Sequence, residues 1–178
     1  GLYLLNTFVE RFDTENNNAS GLSFVNSILE HSVVLEEFKT MSRHGDRYMI
    51  KPLRVTGVAL ENLKIIGPGQ NKLVTESTVQ TLSKSGIEIN EFRIGGIGFY
   101  DVQNSTMQNI HIEDLSRFGI NIGEGSQNIE INTLTAIRIG QNDIESVMSV
   151  LYFVNLPNDA VVLSGSFEFD SVNFGISL

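Results

Sequence analysis

The chain has 178 residues, 41% of them apolar and 19% charged, enough for one domain with a buried core and too apolar to remain disordered. With 21 acidic residues against 12 basic, its formal charge of -9 opposes nucleic acid phosphates and anionic membranes, so nucleic acid is not an expected partner. The absence of cysteine excludes disulfides and thiolate metal sites, and no run of about 18 apolar residues offers a membrane-spanning helix.

Taken in chain order, an apolar-x-apolar triplet recurs eight times: GLYLLN at Gly1, GLSFVN at Gly21, GVALEN at Gly57, GIEINE at Gly86, NIHIED at Asn109, NIEINT at Asn128, VLYFVN at Val150 and SFEFDS at Ser166. Alternation of this kind predicts a strand with one buried face. An Asn or Asp follows each triplet within a residue or two: Asn6, Asn26, Asn62, Asn90, Asp114, Asn132, Asn155 and Asp170. Asn and Asp tolerate the left-handed conformation and bond to nearby backbone, so a polar bend is predicted after each strand, with a second strand beyond it. Between the second and third triplets the spacing lengthens, which predicts an insertion within residues 29–56. GPGQ at Gly67 and GGIG at Gly95 read as turns.

A repeat of about 22 residues with no helical period between strands predicts an all-β chain, a β-solenoid of about seven to eight coils in a single domain over residues 1–178. Stacked coils would align the inward Ile, Leu and Phe side chains in ladders and the bend Asn amides in a second ladder. A β-sandwich with evenly spaced strands is the competing architecture. The [GN]-apolar-x-apolar-x-[ND]-apolar pattern resembles the right-handed parallel β-helix proteins of the pectate-lyase-like group, which includes polysaccharide lyases, glycosidases, epimerases and phage tailspike proteins. The resemblance covers nearly the whole chain, and right-handedness is implied by it alone. No amphipathic capping helix is visible at either side of the repeats, so the chain is expected to be a piece of a longer protein or a subunit whose ends a partner covers.

Three regions could carry chemistry. The residue between the two apolar positions faces outward, and a single stack would place Glu88, His111 and Glu130 in one row, a carboxylate, imidazole, carboxylate arrangement suited to general acid and base work on a glycan. Tyr152 lies on the same outward line. An ordinary solvated sheet face has the same alternation of charge and polarity. In the insertion, Lys39, Arg43, Arg47, Lys51 and Arg54 concentrate positive charge on an otherwise acidic chain. With His44 and Tyr48 they form a candidate binding site for a carboxylated or phosphorylated glycan, with tyrosine available for stacking on a sugar ring. The same cations could instead pair with Glu30, Glu36, Glu37 and Asp46. Near the third region, Tyr100 and Asp101 follow the GGIG stretch, which lacks the Lys and helix of a phosphate loop.

Catalytic signatures of the resembling group are sparse. There are no closely paired aspartates of the polygalacturonase type and no Gly-His-Gly, and RHGD at Arg43 and RIG at Arg138 are fragments of family elements. His31, His44 and His111 are isolated in sequence, so no metal and no cofactor are expected. The expectation is therefore a structural and recognition module of a phage tailspike-like protein, homotrimeric, virion-associated or extracellular, engaging bacterial surface polysaccharide. The alternatives are a polysaccharide lyase, glycoside hydrolase or epimerase acting on the outer face, or a segment of a secreted bacterial adhesin.

Overall fold

The computed structural model describes residues 1–5, 7, 9–12, 19–30, 47–68, 94–140, 149–172 and 174–177. Every regular element among them is a strand: β1 (Tyr3–Leu5), β2 (Val9–Phe12), β3 (Ala19–Glu30), β4 (Arg47–Leu53), β5 (Val55–Ile66), β6 (Ile94–Phe99), β7 (Gln103–Leu115), β8 (Ile120–Ile122), β9 (Gln127–Ile139), β10 (Ser149–Phe153), β11 (Val161–Asp170) and β12 (Phe174–Ser177). Odd-numbered strands form one six-stranded sheet in the order β1-β3-β5-β7-β9-β11, and even-numbered strands form a second in the order β12-β10-β8-β6-β4-β2. All of these pairings are parallel. The chain thus adds one strand to each sheet in turn, and from β3 onward each repeat contributes a long strand and a shorter one. The triplet at Gly86 and the centre of the insertion lie outside the described residues.

Each long strand is two segments joined at a bend. In β5 and β7 alternation breaks where two consecutive residues, Glu61 and Asn62 or Gln108 and Asn109, are exposed. The second residue of each pair has a positive φ, 49° at Asn62 and 51° at Asn109, as does Asn26 in β3 at 51°. A residue in this conformation turns the strand and resets which side chains face inward. Asn supplies it at low cost, because its short amide bonds locally. Here the amides bond along the stack: Asn62 Nδ2 donates to Asn26 Oδ1 at 3.0 Å, and Asn109 Nδ2 to Asn62 Oδ1 at 2.8 Å. The ladder ends at Thr133, whose φ of 61° is unusual for a β-branched residue, and Gly165 follows on β11.

These bends correct the expected register. Leu22/Phe24, Val58/Leu60 and Ile129/Ile131 belong to the first segments, where Ile129 and Ile131 pair with Ser105 and Met107. Ile110/Ile112 and Phe167/Phe169 belong to the second segments, where they meet Leu134 and Ala136. Leu151/Phe153 lies on the other sheet. The bend residue also shifts: Thr133 and Ser171, not Asn132 and Asp170, take the positive φ.

Side chains from both sheets form one core cluster, with Val58, Leu60, Met107 and Ile131 from long strands meeting Ile50, Ile97, Ile120 and Leu151 from short ones. Buried serines fill places where the strand ladders leave an N–H unpaired. Val58 N donates to Ser105 Oγ at 2.9 Å, Ile94 N to Ser116 Oγ at 3.0 Å and Val102 N to Ser126 Oγ at 3.2 Å.

Candidate functional site

The outward face of the second sheet carries the densest polar and aromatic cluster among the described residues. Its strands put Ile50, Ile97, Ile120 and Leu151 inward, so the next residue of each, Lys51, Gly98, Asn121 and Tyr152, points outward. Asn121 pairs with Gly98 on one side and Tyr152 on the other. Tyr48, opposite Gly95, lies over the glycines: a methyl group at Gly98 would sit 2.5 Å from Tyr48 Cδ2, and one at Gly95 2.4 Å from Tyr48 Cδ1. A methyl at Gly123 would likewise sit 2.7 Å from Tyr100 Cδ1. The GGIG glycines are therefore not turn residues; they lie inside β6, where Gly95 and Gly98 admit the Tyr48 ring and a side chain at Gly96 would meet the Gly119 carbonyl, Leu115 and Ile112.

Asn121 ties the cluster together. Its Nδ2 donates to Tyr48 Oη at 2.8 Å and to Tyr100 Oη at 2.9 Å. The two rings meet edge to face with centroids 6.2 Å apart, and Phe118 stacks on Tyr152 at 4.3 Å with planes 6° from parallel. The Arg117 guanidinium sits 5.4 Å from the centre of the Tyr48 ring, and Lys51 Nζ 5.6 Å from that of Tyr100. Burial pushes the Tyr48 phenol well above its ordinary range, opposed in part by the Arg117 charge, so it remains protonated. Asn121 is only 5% exposed, and its Oδ1 has no hydrogen-bond partner among the described residues. An unpaired buried acceptor of this type costs about 1–3 kcal/mol.

Three of the predicted binding residues, Tyr48, Lys51 and Tyr152, thus share one face. They contribute differently: Tyr48 is 1% exposed, so its ring supports the cluster and is not open to stacking, whereas Lys51, Tyr100 and Tyr152 are half-buried. Arg47 begins β4 opposite Ile94, and Arg43 and His44 lie outside the described residues. Asn121 and Phe118 were not singled out by sequence reasoning. A signal existed, because Gly119-Ile120-Asn121-Ile122 is itself an apolar-x-apolar triplet with its polar residue in the outward position.

The first sheet separates the predicted acid-base row. His111 pairs with Thr135, whereas Glu130 pairs with Thr106, five residues earlier on β7 and so about 16 Å along the strand. Glu88 lies outside the described residues. His111 instead meets Glu113 on its own strand, with Nε2 2.9 Å from Oε2, and Lys64 Nζ bonds the other oxygen of Glu113 at 3.0 Å. Burial raises the Glu113 carboxyl, but hydrogen bonds from His111 and Lys64, with the attraction of their charges, outweigh it and hold it below the ordinary glutamate range. Beside this group Arg138 forms a forked pair with Asp114, with Nε to Oδ1 at 2.5 Å and Nη2 to Oδ2 at 2.8 Å. Among the described residues, no three His, Cys, Asp or Glu side chains converge as a metal site. An open cleft of about 290 Å³ before β11, lined by Gln127, Asn128, Pro157, Asn158, Asp159 and Ala160, contains no residue of either cluster.

No protein family, no curated protein and no solved structure matches this chain.

Proposed function

We propose that this chain is a right-handed parallel β-helix module of a phage tailspike-like protein, a homotrimer on the virion or otherwise extracellular, that engages a bacterial surface polysaccharide. Two sheets of parallel strands in sequential order, with Asn ladders at the bends, support the β-helix reading. The observation that carries the function is the outward row of the second sheet. Half-exposed Tyr100 and Tyr152 flank an amide on a rigid strand platform, with Lys51 at one end, and aromatic faces beside hydrogen-bonding groups are what a sugar ring requires. Exposed Tyr3, Leu5, Val25 and Ile28 at the start of the first sheet support subunit association. A glycan-degrading enzyme is the second reading, favoured by the contact of His111 with Glu113 on the first sheet.

Light scattering followed by incubation with neutral and acidic bacterial polysaccharides tests both readings. A trimer that binds a polysaccharide without releasing reducing ends or unsaturated products supports the recognition module, and Tyr152→Ala should then weaken binding about five- to tenfold. Release of such products, abolished by His111→Ala, would replace it with the enzyme. Failure to bind any member of the panel would refute the recognition reading.

A further inference from the structure

Resting on that reading, we infer that Asn121 determines the specificity of the outer-face site, by hydrogen-bonding a hydroxyl group of a neutral sugar ring held between Tyr100 and Tyr152. Both tyrosine hydroxyls are engaged by one end of the amide, and the other end, buried and without a partner among the described residues, has its hydrogen-bonding capacity unspent. Turning the amide over leaves the same end without a partner, as a donor in place of an acceptor. A hydroxyl group satisfies either orientation, because it both donates and accepts. An anionic oxygen satisfies only one, and an ammonium group would meet the positive charges of Arg117 and Lys51 on the same face. Tyr48, itself locked over Gly95 and Gly98, holds the amide in place. The unpartnered end of the amide is buried, so a sugar hydroxyl reaches it only as the side chains over it part.

A site built around a buried amide rejects ligands that leave it unpaired, so the inference concerns selectivity as well as affinity. The test uses the whole chain, a panel of neutral O-antigen polysaccharides and uronic-acid capsular polysaccharides, and ¹H–¹⁵N spectra that follow the Asn121 side-chain amide. The expected result is binding to a neutral member, movement of the Asn121 amide resonances on titration, and at least a tenfold loss of affinity in Asn121→Leu with its thermal unfolding still cooperative. Should that variant fail to fold, movement of the amide resonances in the unaltered protein decides the question. Binding with stationary Asn121 resonances, or an affinity in Asn121→Leu within twofold of the unaltered protein, overturns the inference and leaves polysaccharide recognition standing. Binding confined to the uronic-acid polymers also overturns it. Absence of binding to every member removes the recognition reading, and the inference with it.

Discussion

The fit of Tyr48 over β6 gives a sharp test of the packing that supports the outer-face site. Gly98 is in an extended strand with no positive φ, so alanine is compatible with its backbone and on conformational grounds should stabilise it by about 0.5–1 kcal/mol. The added methyl, however, would lie 2.5, 2.6 and 2.9 Å from Cδ2, Cγ and Cε2 of Tyr48. No rotation of a methyl relieves this, and Tyr48 is fully buried, so the ring must lift, which strains or breaks its bond to Asn121. Overpacking typically costs about 1–3 kcal/mol and the hydrogen bond about 1 kcal/mol, so Gly98→Ala should lose about 2 kcal/mol net. Tyr48→Ala removes a buried aromatic ring and should itself cost about 3–5 kcal/mol. With the ring gone the methyl has room, and Gly98→Ala in the Tyr48→Ala background should be neutral or slightly stabilising. The coupling between the two sites is then about 2–3 kcal/mol. Urea unfolding followed by circular dichroism and tyrosine fluorescence measures all four proteins, provided the slopes agree. Equal costs of Gly98→Ala in the two backgrounds would refute the proposed packing.

At the bend, Asn62→Ala should destabilise by about 1–2 kcal/mol, because alanine has neither the amide bonds to Asn26 and Asn109 nor ease in the left-handed conformation. Asn62→Gly should recover the backbone part of that loss, and equal urea midpoints for the two variants would argue against strain at this position. Because the Glu113 carboxyl is held below its ordinary range in the folded state, it adds stability that is fully present above the unfolded-state pKa and is lost as pH falls through the folded one. Thermal melts between pH 3 and 7 should therefore show a shallower acid loss in Glu113→Gln than in the unaltered protein, and parallel profiles would refute the assignment.

The strand content was legible in the sequence, because side-chain alternation along a strand is a local property and three apolar-x-apolar triplets mark the inward faces of β5, β7 and β9 directly; the parallel pairing was legible only in the recurrence of one strand-and-bend unit, which stacks like on like. The bend at Asn62 was legible for a similar reason, since few residues other than Asn, Asp and Gly accept a left-handed backbone. Register was not. Alternation says which face a residue occupies, but which residue lies beside it depends on where each chain segment bends, and one unmarked bend at Thr133 shows how the position slips from Asn132. His111 and Glu130 share a period and a face in sequence, yet the ladder between β7 and β9 sets them five residues apart. Nor did the sequence distinguish a turn glycine from one that admits a ring: Gly95 and Gly98 look like loop residues until Tyr48, nearly fifty positions earlier, is brought over them by the parallel pairing of β4 with β6. Long-range hydrogen bonding fixed these neighbours, and with them the tyrosines, the lysine and the amide that make the outer-face site.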